Sequence, residues 1–162
     1  MVMREHAHRA AAGVLLAVVA AGVAGCAAAP MSAADGTRHY EAVMADLTDE
    51  LVAEYPAVLW ETESESTHAA ADAGECRLYL PTRSTTSDEI VEGTPEELWE
   101  AVNRVLGQHE FDDIVGLDED TPGGWEVASA RDARGAELRI SAKPGFPVSL
   151  DLTAPVETDA CR

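Results

Sequence analysis

Lysine is almost missing from this chain: Lys143 is its one lysine, and the other basic residues are arginines. That leaves no Ser-Lys catalytic arrangement except one built on Lys143. There is no GxSxG, no HExxH, no CxxC and no paired His/Cys at zinc spacing. These absences exclude the familiar nucleophile-elbow, zinc-protease and dithiol signatures. Gly123-Gly124 stand alone after Pro122, without GxGxxG or Walker-type spacing, so no phosphate-cradling loop is expected. Aromatic residues make up only 5%, which disfavours a large aromatic-lined ligand cavity. Positive charge is scarce: 11 Lys+Arg stand against 30 Asp+Glu, for a formal net charge of −19. Such a surface repels nucleic acid and anionic lipid head groups. No nucleic-acid partner is expected, and membrane association should come from something other than a basic patch.

What is present begins with an N-terminus of distinct composition. Residues 1–9 carry Arg4 and Arg9, and Ala10–Ala24 holds no charge. A positive n-region followed by an apolar h-region is the pattern of an export signal. Val23-Ala24-Gly25-Cys26 follows. This resembles the bacterial lipobox, an aliphatic residue and two small ones before a cysteine. The resemblance implies cleavage between Gly25 and Cys26 and acylation of the Cys26 thiol. Cleavage would remove two arginines and one glutamate, taking the net charge from −19 to −20. The rival reading is an uncleaved membrane helix over Ala10–Ala29, although its many Ala and Gly residues insert weakly. Either reading places the rest of the chain outside the cytoplasm, because Arg4 and Arg9 favour the inside. The expected division is a signal peptide over 1–25, a lipidated cysteine and flexible tether over 26–36, and one domain over 37–162. The expected location is the extracytoplasmic face of the cell membrane, held there by lipid.

With Cys26 assigned to lipid, Cys76 and Cys161 remain. Two cysteines in an exported domain predict one disulfide. A metal or redox pair would want closer spacing or a nearby histidine, and only His68 lies near Cys76.

Tyr40, Val43, Met44, Leu47 and Leu51 recur at helical spacing, predicting a helix from about Asp35 to Tyr55, ended by Pro56. Val58–Thr62 and Cys76–Leu80 read as strands, with loops over Ser64–Glu75 and Pro81–Gly93. Thr94-Pro95 with Glu97 marks a second helix start, followed by the stripe Leu98, Val102, Val105, Leu106. Asp112–Gly124 reads as an acidic loop. Trp125–Arg131, Ala136–Ala142 and the alternating Val148, Leu150, Leu152 read as a three-strand meander. The expected fold is α+β in the order α-β-β-α-β-β-β: a two-layer sandwich of a five-stranded antiparallel sheet with both helices on one face. The lipobox at Cys26, the pair Cys76 and Cys161 and this element order resemble the LppA-like lipoproteins of actinobacteria. The resemblance implies an address and a fold but no activity.

Candidate chemistry is sparse. His39 near a helix start, His68 in a loop and His109 at a helix end all read as surface residues. Asp112, Asp113, Asp118 and Asp120 could bind calcium weakly, but an EF-hand alignment from Asp118 puts Pro122 and Ser129 at ligand positions and fails. Glu61 beside Trp60 and Glu126 beside Trp125 are the carboxylates nearest to apolar neighbours, and both read as outward-facing. No catalytic residue, metal or cofactor is expected. The expected function is a non-enzymatic interaction module that binds another envelope protein. The alternative is a carrier of a small or lipidic ligand, with a cavity lined by Trp60, Trp99, Trp125 and Phe146; an enzyme ranks below both.

Overall fold

A computed structural model describes residues 28–63, 67–86, 95–116, 118–121 and 123–162. Helix α1 spans Ala33–Glu54, and Ser32 caps it by accepting from the Asp35 amide. A side-chain cap of this kind satisfies an N–H that the helix itself leaves open. Tyr40, Val43, Met44, Leu47 and Leu51 form its buried stripe. The helix stops at Tyr55, the residue before Pro56, where the helical conformation is disfavoured. Helix α2 covers Pro95–Gln108 and buries Ala101, Val102, Val105 and Leu106.

The strands are β1 (Trp60–Thr62), β2 (His68–Asp72), β3 (Glu75–Tyr79), β4 (Arg83–Thr85), β5 (Asp118–Thr121), β6 (Trp125–Arg131), β7 (Glu137–Lys143) and β8 (Phe146–Pro155). A 3₁₀ turn, Thr158–Cys161, closes the chain. All pairings between strands are antiparallel, in the order β1-β4-β8-β7-β6-β5. β3 also pairs with β8, and β2 with β3. The ten-residue β8 organises the sheet. β7 lies along one of its edges; β4 and then β3 share the other. The Leu80 amide keeps contact with Leu152 O at 3.1 Å between them. Pro81, with no N–H to give, follows at once and splits what would otherwise be one strand.

The α+β class holds, and the sheet is open. Against the expected five strands the described residues form eight, because β2, β4 and β5 lie in stretches read as loops. Each strand of the meander buries one side only: Ala128 and Ala130, Leu138 and Ile140, then Val148, Leu150, Leu152 and Ala154. These pack in one core with the stripes of both helices. Each large apolar side chain buried there contributes roughly 1.5–3 kcal/mol. The opposite side of the sheet carries Ser129, Arg131, Arg139, Asp151 and Thr153, and both described helices pack on the core side instead.

The flexible tether expected over 26–36 does not extend through residues 31–36. Met31 bridges to Val156, and Ser32 to Gly36 are already the cap and first turn of α1. A Cβ on Gly36 would come within 3.3 Å of the Val156 side chain, so the helix begins close against the end of β8. Thr94, the expected cap of α2, lies outside the described residues, as do Gly25 and Cys26.

Candidate functional surface at the tether end

The chain's first described residues meet the sheet at one end, here called the tether end. The Ala28 amide donates to Ala133 O at 3.2 Å, and the Glu157 amide to Met31 O at 2.9 Å. The β6–β7 turn, Asp132-Ala133-Arg134-Gly135, is at the same end. Gly135 takes φ +83°, a conformation that other residues adopt only with strain.

One buried carboxylate fixes this turn. Asp132 Oδ1 accepts from the amides of Arg134 at 2.9 Å and Ala136 at 2.8 Å. Its Oδ2 accepts from the Tyr40 hydroxyl at 2.8 Å, which ties the turn to α1. Burial pushes the Tyr40 phenol well above its ordinary pKa of 10.0, and the Asp132 hydrogen bond adds to the shift. A phenol held neutral in the fold stabilises fully below pH 10.0 and loses that contribution as pH rises through the raised folded value. Between those limits stability should fall by about 1.4 kcal/mol per pH unit. Tyr40→Phe should flatten this decline in urea unfolding followed across the alkaline range; an unchanged slope would refute the assignment.

Cys76 and Cys161 are joined in a disulfide with Cα atoms 5.8 Å apart. The expected pairing is thus realised, and it pins the C-terminal turn to β3. Beside it lies an open cavity of 640 Å³ whose lining includes Ala28, Pro30, Arg77, Arg131, Arg134 and Val156. Three arginines thus gather at one end of a strongly acidic chain. Arg131 pairs with Glu137 at 3.1 Å. Arg77 reaches Thr153 Oγ1 at 3.1 Å and Glu75 at 3.8 Å. Arg134 makes no side-chain ion pair among the described residues. Nothing in local sequence announces this cluster, because β3 and the β6–β7 turn are brought together only by the sheet.

The open face continues the pattern with opposed charges. Arg139 stands opposite Asp151 across β7–β8, and Arg131 opposite Glu137 across β6–β7. At its far end Lys143 lies over the Phe146 ring at 4.8 Å, with Trp125 packed on Phe146 at 5.7 Å.

The histidines do not converge on a ligand. His109 Nε2 meets Asp46 at 2.8 Å and so links the end of α2 to α1. The His39 ring lies 6.2 Å from that of His109. His68 is the first residue of β2, not in a loop, and stacks on Tyr79. No group of three or more His, Cys, Asp or Glu side chains is placed to hold a metal among the described residues. Asp118 and Asp120 fall in β5, not in a loop as expected, and Asp112 donates its amide to Arg131 O. Glu61 and Glu126 lie in β1 and β6.

The aromatic residues expected to line a carrier cavity are dispersed. Trp99 borders a surface hollow with Ile114, Trp60 lies in β1 opposite Thr85, and Trp125 and Phe146 pair at the far end. No helix among the described residues is long and apolar enough to cross a membrane. No family model, curated protein or solved structure matches the chain.

Proposed function

We propose that the chain is a lipid-anchored lipoprotein of the extracytoplasmic membrane face, acting as a non-enzymatic module that binds another envelope protein. The motif Val23-Ala24-Gly25-Cys26, placed directly after an uncharged stretch, carries the anchoring part of this reading. Two or more acyl chains on Cys26 would hold the domain stably where one would not. The binding part is supported by the sheet face opposite the described helices, where Arg139, Asp151 and Arg131 stand at register positions of alternating charge. Such a face favours selectivity between partners over raw affinity.

Native mass spectrometry of the protein extracted gently from its own membrane tests both parts. The expected result is Cys26–Arg162 plus acyl groups, two hydrogens light for the disulfide, with a second polypeptide retained. A chain that keeps residues 1–25 and carries no lipid would overturn the anchor. A bound small molecule other than a bilayer phospholipid, in place of a polypeptide, would favour the carrier reading instead.

A further inference from the structure

Cys26 lies only two residues before Ala28, and Ala28 lines the arginine cavity. An extended chain covers at most about 3.6 Å per residue, so the two Cα atoms lie within about 7 Å of one another. This inference rests on the anchoring reading: acyl chains on Cys26 bring the bilayer surface to the rim of that cavity. An acidic domain held so close to an anionic leaflet is repelled, because the separation is shorter than the Debye length of about 8–10 Å. Three guanidiniums occupy the place where that repulsion would be greatest. Their rim partners are Glu75 and Glu137, so the cavity holds three positive charges against two negative, the reverse of the chain as a whole.

We propose that this cavity binds the phosphate of an anionic phospholipid headgroup in the leaflet that carries the anchor. Among the described residues Arg134 has no competing side-chain ion pair, so its guanidinium can fork onto two phosphate oxygens. Arg131 and Arg77 line the same open cavity of 640 Å³, and so do Ala28, Ala29 and Pro30, the first described residues of the chain. Pro155 and Val156 provide an apolar wall for the glycerol carbons.

The test uses the mature lipoprotein in nanodiscs of equal parts phosphatidylglycerol and phosphatidylcholine, with lipids retained after release counted by native mass spectrometry. Phosphatidylglycerol should be retained in preference. Each arginine removed should weaken that preference about fivefold, so Arg134→Gln shows one step and Arg131→Gln with Arg134→Gln shows two. Arg134→Lys, which keeps the charge but loses the fork, should fall between the parent and Arg134→Gln and guards against a folding defect. Arg104→Gln, on α2 and paired with Glu50 of α1, should change nothing. Equal retention of the two lipids, or an undiminished preference in Arg134→Gln, would overturn the proposal. So would full displacement by equimolar sn-glycerol 3-phosphate, which would mark a soluble-anion site. The same spectra report acylation: an acylated chain without preference sinks the site alone, and an unacylated chain that prefers phosphatidylglycerol sinks the anchor alone.

Discussion

Cys161→Ser is expected to lower the stability of the domain by about 4–5 kcal/mol, the largest effect of any single change considered. The bond closes a span of 85 residues, from β3 through α2 and the whole meander to the penultimate residue. Chain-entropy arguments give a stabilisation that grows with the logarithm of that span, because the cross-link removes open conformations from the unfolded chain. Native contacts explain why the link is tolerated without distortion. The Val156 amide donates to Cys76 O at 2.9 Å, so the end of β8 already lies beside β3 before the chain turns back to Cys161. The melting temperature should fall by roughly 10–15 °C for a domain of this size. Urea unfolding of the parent in reductant should converge on that of the variant. A loss below about 1 kcal/mol would mean that the tail contacts, not the covalent link, hold the two strands together.

The elements that could be read from the sequence are those that bury a regular face. β6 was expected at Trp125–Arg131 and lies there, because Ala128 and Ala130 alternate with exposed neighbours. α1 starts two residues before the expected Asp35, displaced by Ser32, whose hydroxyl caps one turn earlier than the apolar stripe suggests. The three missed strands have a common physical cause. β2 sits at an edge with β3 as its one neighbour among the described strands, and none of its residues is fully buried, so its composition carries no period. β4 reads as polar because its inward residues satisfy themselves by hydrogen bonds. Arg83 donates to Met44 O and Thr48 Oγ1 beneath α1, and burial pulls its pKa down while Asp49 and Glu41 oppose the shift. Thr85 Oγ1 accepts from the Val148 amide. β5, Asp118–Thr121, is an acidic edge strand, and charged edges discourage pairing with other chains.

Composition also hid the arginine cluster. A net charge of −19 predicts repulsion from anionic surfaces everywhere, yet it is an average over a surface whose charges are not evenly placed. Arg77 and Arg134 are far apart in sequence and are brought to one cavity by the pairing of β3, β8 and β7. The disulfide, by contrast, followed from counting once the lipobox resemblance set Cys26 aside, since the two cysteines then left allow only one intramolecular pairing.

Asp132→Ala is the second large effect expected, about 3 kcal/mol of stability. The substitution strands three donors at once: the amides of Arg134 and Ala136 and the hydroxyl of Tyr40. Tyr40 is fully buried and cannot turn to water, so its hydroxyl bears the full cost of lost solvation. Asp132→Asn should cost much less, about 1 kcal/mol, because Oδ1 still accepts both amides and the new amide can donate to the phenol oxygen. Tyr40→Phe alone should also cost about 1 kcal/mol, since the carboxylate keeps its two backbone donors. Combined with Asp132→Ala, Tyr40→Phe should cost almost nothing further, because its partner is already gone. Additive losses in that double-mutant cycle would separate the turn from the helix. The cycle also bears on the surface above it. The carboxylate that satisfies Tyr40 holds the turn that carries Arg134 and directly follows Arg131, so Asp132→Ala should weaken phosphatidylglycerol retention even though it removes a negative charge and leaves all three guanidiniums present. Retention equal to the parent's would show that the arginines do not need the turn to be held.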